Sequence, residues 1–132
     1  MQTYKVGAGT QQIMLSVDID TVGLAATRAR LVIVQSTEPG VTVATSSDAT
    51  GDILPQKKIG ARDSVVAKRL SVVTRIDLLG KLPERKAEAE RLTGTYQLDG
   101  GPGGSISDFE ATKKANKDFT SVGLQLLVDL IP

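Results

Sequence analysis

LQLLVDLIP, Leu124 to Pro132, closes the chain, and its reading decides the fold. Chain ends usually fray in polar residues that nothing holds down. Here Leu124, Leu126, Val128 and Leu130 fall on one side of an extended backbone, and Gln125, Leu127 and Asp129 on the other. Side chains alternate between faces every residue in a strand, so the pattern predicts a core strand with a wet outer face. Such a strand needs sheet neighbours, and the rest of the sequence supplies them.

The same cadence recurs twice. QIMLSVDID puts Ile13, Leu15, Val17 and Ile19 on one face, with Gln12, Met14, Ser16, Asp18 and Asp20 on the other. RLSVVTRIDLL puts Leu70, Val72, Thr74, Ile76 and Leu78 together, opposite Ser71, Val73, Arg75, Asp77 and Leu79. Each segment carries an aspartate on its polar side. Their spacings are unequal, so they are similar strands and not repeats of one unit.

Weaker signals fill the gaps. Leu31 to Val34 is a continuous apolar run that fits a strand near a sheet centre. After the turn signal Glu38-Pro39-Gly40, GVTVATS reads as a strand with Val41 and Val43 on one face. GDILPQKKIG, bounded by Gly51 and Gly60, contains Pro55, which removes a ladder donor and marks an edge strand or an irregular crossing. Ser64 to Ala67 reads as a further strand, or as the start of the Leu70 strand bent by a bulge. Pro83 opens a short helical turn or charged loop, followed by a strand with Leu92, Tyr96 and Leu98 inward. Ser107 and Glu110 have capping-box spacing, predicting a short helix through Phe109. The expectation is one all-β domain over residues 1–132, an antiparallel β-sandwich or small barrel of about seven to eight strands with at most one or two short helical turns.

Composition narrows function mainly by exclusion. Cysteine, histidine and tryptophan are absent from the 132 residues. Disulfides, thiol nucleophiles and thiolate metal sites are thereby excluded, along with the commonest general base and the commonest zinc ligand. The only aromatics are Tyr4, Tyr96, Phe109 and Phe119, so aliphatic residues must build the core. The formal net charge is +1, which gives weak long-range attraction to nucleic acid. No run approaches the roughly 18 apolar residues of a membrane span, and MQTYKVGAGTQQ lacks the apolar segment of a signal peptide.

Three features invite a site. Asp18 and Asp20 share a strand face and can contribute oxygens to calcium, with Asp129 or Asp77 joining if the similar strands are neighbours. An EF-hand ligand series is missing, so solvating an outer face is the plainer role, and no cofactor is expected. The loop DGGPGGS, with Asp99, Gly100, Gly101, Gly103 and Gly104, lacks the lysine of a phosphate-binding loop and the strand–turn–helix setting of a dinucleotide loop. It reads as a flexible hairpin loop. Lys57 to Arg91 is rich in basic residues but has no aromatic and includes five carboxylates, unlike a nucleic-acid surface with stacking platforms.

Met14, Val73, Leu79 and Leu127 are apolar residues on otherwise polar faces; merged into one patch they would mark a protein contact. The expected function is therefore a non-catalytic structural or protein-interaction domain, with self-assembly as one form. Its partner is expected to be protein, including a second copy, rather than nucleic acid. The alternative is a ligand-binding module whose loops hold calcium or a small anion.

Overall fold

A computed structural model describes every residue from Met1 to Pro132. The strands are β1 (Gln2–Lys5), β2 (Gln12–Asp20), β3 (Leu24–Val32), β4 (Val41–Thr45), β5 (Ile53–Ala61), β6 (Arg69–Asp77), β7 (Thr93–Asp99), β8 (Thr112–Ala115) and β9 (Ser121–Ile131). Two helices, α1 (Arg62–Val65) and α2 (Leu82–Arg91), complete the chain. The strands make two sheets, an all-β sandwich with no closed barrel. The larger has six strands in the order β1-β9-β6-β3-β4, with β8 also on β9; the smaller has the order β5-β2-β7.

β9 has partners on both edges. β6 runs antiparallel along one side, from Arg69↔Asp129 to Asp77↔Ser121. The other side is shared: β8 takes Val122 to Gln125 and β1 takes Val128 to Ile131. The β1–β9 pair is parallel, the one departure from an otherwise antiparallel ladder. The inward side chains of β2, β6 and β9 fall as the alternation predicts. Ile13, Leu15, Val17, Leu70, Val72, Ile76, Val122, Leu126 and Val128 are completely buried in one apolar core. Each such side chain contributes roughly 1.5–3 kcal/mol. Within this core Thr27 and Thr74 share a hydroxyl–hydroxyl hydrogen bond of 2.7 Å between β3 and β6. Burial pushes the Tyr96 phenol up to about 12, partly offset by the Thr74 hydroxyl beside it.

Several elements differ from the sequence expectation. The strand expected over Leu31 to Val34 is the end of β3, which begins at Leu24; Ile33 and Val34 lie beyond it and are exposed. β3 presents small residues to the core, Ala25, Thr27 and Ala29, so its hydrophobic contrast is faint. In β4 Ala44 is buried opposite Ala29, a register shift follows between Ala29 and Arg30, Val43 is partly buried against the core and Val41 is exposed. Ser64 and Val65 belong to α1, not to a strand. No helix forms at Ser107 to Glu110. Phe109 instead packs edge-on against Tyr4, ring centroids 6.4 Å apart, and the chain runs on into β8.

Helix α2 is longer than a single turn, although only Ala89 is buried along it. Its ends hold it. Pro83 lies in the first turn. Lys113 on β8 donates from Nζ to the carbonyls of Ala89 (3.0 Å), Glu90 (3.3 Å) and Leu92 (2.6 Å). A cation on the orphan carbonyls of a helix C-terminus is favourable to the helix dipole.

Candidate functional site

The outer face of the larger sheet holds a concavity. On β3 the residues Arg28 and Arg30 alternate with inward Thr27, Ala29 and Leu31, so both guanidinium groups point away from the core. On the neighbouring strand Val73 lies opposite Arg28, Ser71 opposite Arg30 and Arg75 opposite Ala26. With Val32, Pro39, Thr45 and Ser46 these side chains line a groove of about 490 Å3. Three arginines line it and no carboxylate does. Arg75 has one weak partner, Asp77 at 3.3 Å, with both side chains more than half exposed. Arg28 and Arg30 make no ion pair and no side-chain hydrogen bond. Arginine presents a planar fork of donors that fits carboxylate oxygens two at a time, so unpaired forks beside hydroxyls and short aliphatics suit an acidic, partly apolar ligand.

One ion pair on this face is closely made. Arg69 Nε donates to Asp129 Oδ1 at 2.7 Å and Nη2 to Oδ2 at 3.3 Å. The hydrogen bonds to Arg69 hold the Asp129 carboxyl below its ordinary range, and the guanidinium is raised in turn. This corrects the proposed calcium set. Asp18 and Asp20 are on β2, on the outside of the smaller sheet, whereas Asp129 is on β9 of the larger sheet and already paired. Of the similar strands, β6 and β9 are neighbours but β2 lies in the other sheet, and no group of three or more potential metal ligands comes together anywhere in the chain. Asp18 has no partner, while Asp20 has a loose contact with Arg91 at 3.3 Å.

The four apolar candidates do not merge. Val73 and Leu127 share the outer face of the larger sheet as diagonal neighbours, since Val73 opposes Gln125 and Ser71 opposes Leu127. Met14 is half-buried on the smaller sheet. Leu79 is 78% exposed at one end of the sandwich, beside Val22, which is 84% exposed. Those two line a shallow hollow with Leu24, Leu78, Glu84 and Glu88.

Glu88 ties that end together. Its Oε2 accepts from the Thr21 hydroxyl (2.8 Å), the Val22 amide (2.9 Å) and Arg91 Nη2 (2.9 Å), and its Oε1 from Arg91 Nε (2.7 Å). Hydrogen bonding to Arg91 first, then to Val22 and Thr21, lowers the carboxyl from 4.5 to about 2 against the opposing effect of burial. A carboxyl depressed on folding stabilises the fold above its unfolded pKa and loses that contribution as pH falls through the folded value. The melting temperature should therefore drop between pH 4.5 and about 2. Glu88→Gln should melt lower at neutral pH and show a shallower decline over that interval. A melting scan against pH checks both; an unchanged acid limb in the variant would show that Glu88 does not carry it.

The glycine loop is fastened through its first half. Gly100 and Gly101 are buried. The Tyr4 hydroxyl accepts from the Gly101 amide (2.9 Å) and donates to the Gly104 carbonyl (2.7 Å). Arg62 Nε donates to the Gly100 carbonyl at 2.8 Å. Its expected mobility is confined by these bonds to the tip around Gly103, which is exposed.

The basic stretch from Lys57 to Arg91 is not one surface. Lys57 and Lys58 lie on edge strand β5, Arg69 and Arg75 on β6, and Lys81 to Arg91 at the α2 end. The groove arginines on β3 lie outside that stretch. Their signal was the alternation in TRARL, masked by small inward residues. The chain defines a two-sheet all-β sandwich with an arginine-lined outer face. It matches no protein-family model, no curated protein and no solved structure.

Proposed function

We propose that this domain is a non-catalytic interaction module that takes an acidic protein segment onto the outer face of its larger sheet. The observation that carries the reading is the pair of unpartnered guanidinium groups, Arg28 and Arg30, in a groove that Arg75 also lines and no carboxylate enters. Residues two apart on a strand are about 6.6–6.8 Å apart. An extended peptide with carboxylates at alternate positions has the same spacing. The groove also offers Ala26, Val32, Pro39 and Val73, aliphatic surface that the methylene stems of glutamates on that side would cover and a sugar–phosphate chain would not. No aromatic lines it for base stacking.

The test is fluorescence anisotropy at low ionic strength with a labelled peptide of alternating glutamate and valine, and oligouridylate as the rival polyanion. The peptide should bind, and Arg28→Glu with Arg30→Glu should weaken it by about tenfold or more, because rim charges control encounter and orientation. Tighter binding of the oligonucleotide, or peptide binding that ignores the two reversals, would sink the reading.

A further inference from the structure

We infer that the acidic segment can be supplied by a second copy of this chain: Asp18 and Asp20 on the smaller sheet of one copy dock on Arg28 and Arg30 on the larger sheet of the next. The inference rests on the proposed role of the arginine groove and names its partner. Complementarity of the two outer faces carries it. Asp18 and Asp20 stand two residues apart on an extended strand, both exposed, and Asp18 has no partner. Arg28 and Arg30 stand two residues apart on another extended strand and have none either. The two spacings are equal, about 6.6–6.8 Å, so one carboxylate can meet each fork when the strands lie nearly aligned. Sheets stack with strand directions within about 30° of each other.

The surroundings agree. Met14 lies four residues before Asp18 on the same outward side of β2. With Asp18 over Arg28 and Asp20 over Arg30, it falls over Leu24, four residues before Arg28 on the outward side of β3 and 54% exposed. The Asp20–Arg91 contact is loose, with the Asp20 side chain 72% exposed, so it competes weakly for the carboxylate. Lys58 on β5 is the opposing charge on the acidic face; it pairs in register with Met14, towards the far end of β2 from Asp20.

Different faces meet in such a contact, so it is heterologous: a joined pair keeps one free face of each kind, and the assembly grows rather than stopping at a dimer. Each copy adds one internal and one external sheet-to-sheet distance, roughly 20 Å in all.

Light scattering at low ionic strength, over a range of concentrations, tests this. Wild type should gain mass continuously with concentration and lose it with added salt. Arg28→Asp with Arg30→Asp has two acidic faces and should stay monomeric. Asp18→Arg with Asp20→Arg has two basic faces and should also stay monomeric. Mixed one to one, the two variants regain complementary faces and should assemble again. All four substitutions are at outward-facing strand positions, and circular dichroism confirms that the variants fold. Three results would overturn the inference: a wild-type monomer at millimolar concentration in low salt, assembly by either variant alone, or no recovery on mixing. If the wild type stays monomeric yet binds the glutamate–valine peptide, the groove reading stands and self-stacking falls. If neither occurs, both fall.

Discussion

Deleting Leu126 to Pro132 should leave a chain that does not fold. The segment carries Leu126, Val128 and Leu130, each almost fully buried. At roughly 1.5–3 kcal/mol apiece, their loss alone reaches the lower range of a domain's total stability, about 5–15 kcal/mol. Backbone losses add to it. β1 pairs only with Val128 to Ile131, so the N-terminal strand would lose its sheet partner. The Ala67 amide bonds to the Leu130 carbonyl, and the Val6 amide to the Ile131 carbonyl, so the segment after α1 and the entry to the first loop would be freed as well. A graded version separates packing from chain length. Leu126→Ala should cost about 3 kcal/mol and lower the melting temperature by roughly 10 °C. Leu127→Ala, on the outer face, should cost less than about 1 kcal/mol. Thermal and urea denaturation of the two variants would measure this. Equal losses at 126 and 127 would contradict the inward–outward assignment of β9 and with it the common core.

The strands that could be read from the sequence are those whose inward residues are large. β2, β6 and β9 present Ile, Leu and Val at alternate positions, and the contrast with their polar neighbours is strong enough to set register and face. β3 lies inside the larger sheet between β6 and β4, yet its first half carries no strand signal, because Ala25, Thr27 and Ala29 face inward and differ little in hydrophobicity from a loop. That gap hid the groove, since Arg28 and Arg30 become a pair on one face only once the strand is known to run through them. Local rules also lost to tertiary ones. Ser107 and Glu110 satisfy a helix-start spacing, but the packing of Phe109 on Tyr4 and the open half-edge of β9 draw that segment into extended structure. Val65 and Val66 favour a strand by propensity, yet Val65 is the buried residue of α1. α2 has too weak an apolar stripe to be predicted at its length. It is held by Lys113 and Glu88, contacts made from 24 and 67 residues away in sequence, which no local window contains. The candidate calcium set failed for a related reason: similar strand cadence carries no information about which sheet a strand joins.

The glycine loop gives the sharpest contrast between neighbouring positions. Gly101→Ala should cost roughly 3 kcal/mol, while Gly103→Ala, two residues on, should be neutral or stabilise by up to about 1 kcal/mol. A methyl group at 101 would overlap the Lys5 carbonyl oxygen on β1 and come within 2.9 Å of the Tyr4 hydroxyl. The carbonyl is backbone and cannot swing aside, so either the loop lifts or β1 moves, and both break the hydrogen bonds centred on Tyr4. A methyl group at 103 meets nothing within 4 Å, and its backbone is not in the left-handed region. Alanine there only narrows the unfolded ensemble. Tyr4→Phe separates the clamp from the steric term. It keeps the ring against Phe109 but leaves the Gly101 amide without its acceptor, and the amide is buried. That variant should lose about 1–3 kcal/mol and the hydrogen-exchange protection of Gly101, without altering the packing of β1. Denaturation midpoints order the three variants, and exchange at the Gly101 amide reports the clamp directly. If Gly101→Ala and Gly103→Ala behaved alike, the loop would be free along its whole length, and the hydroxyl of Tyr4 would not be what fastens it.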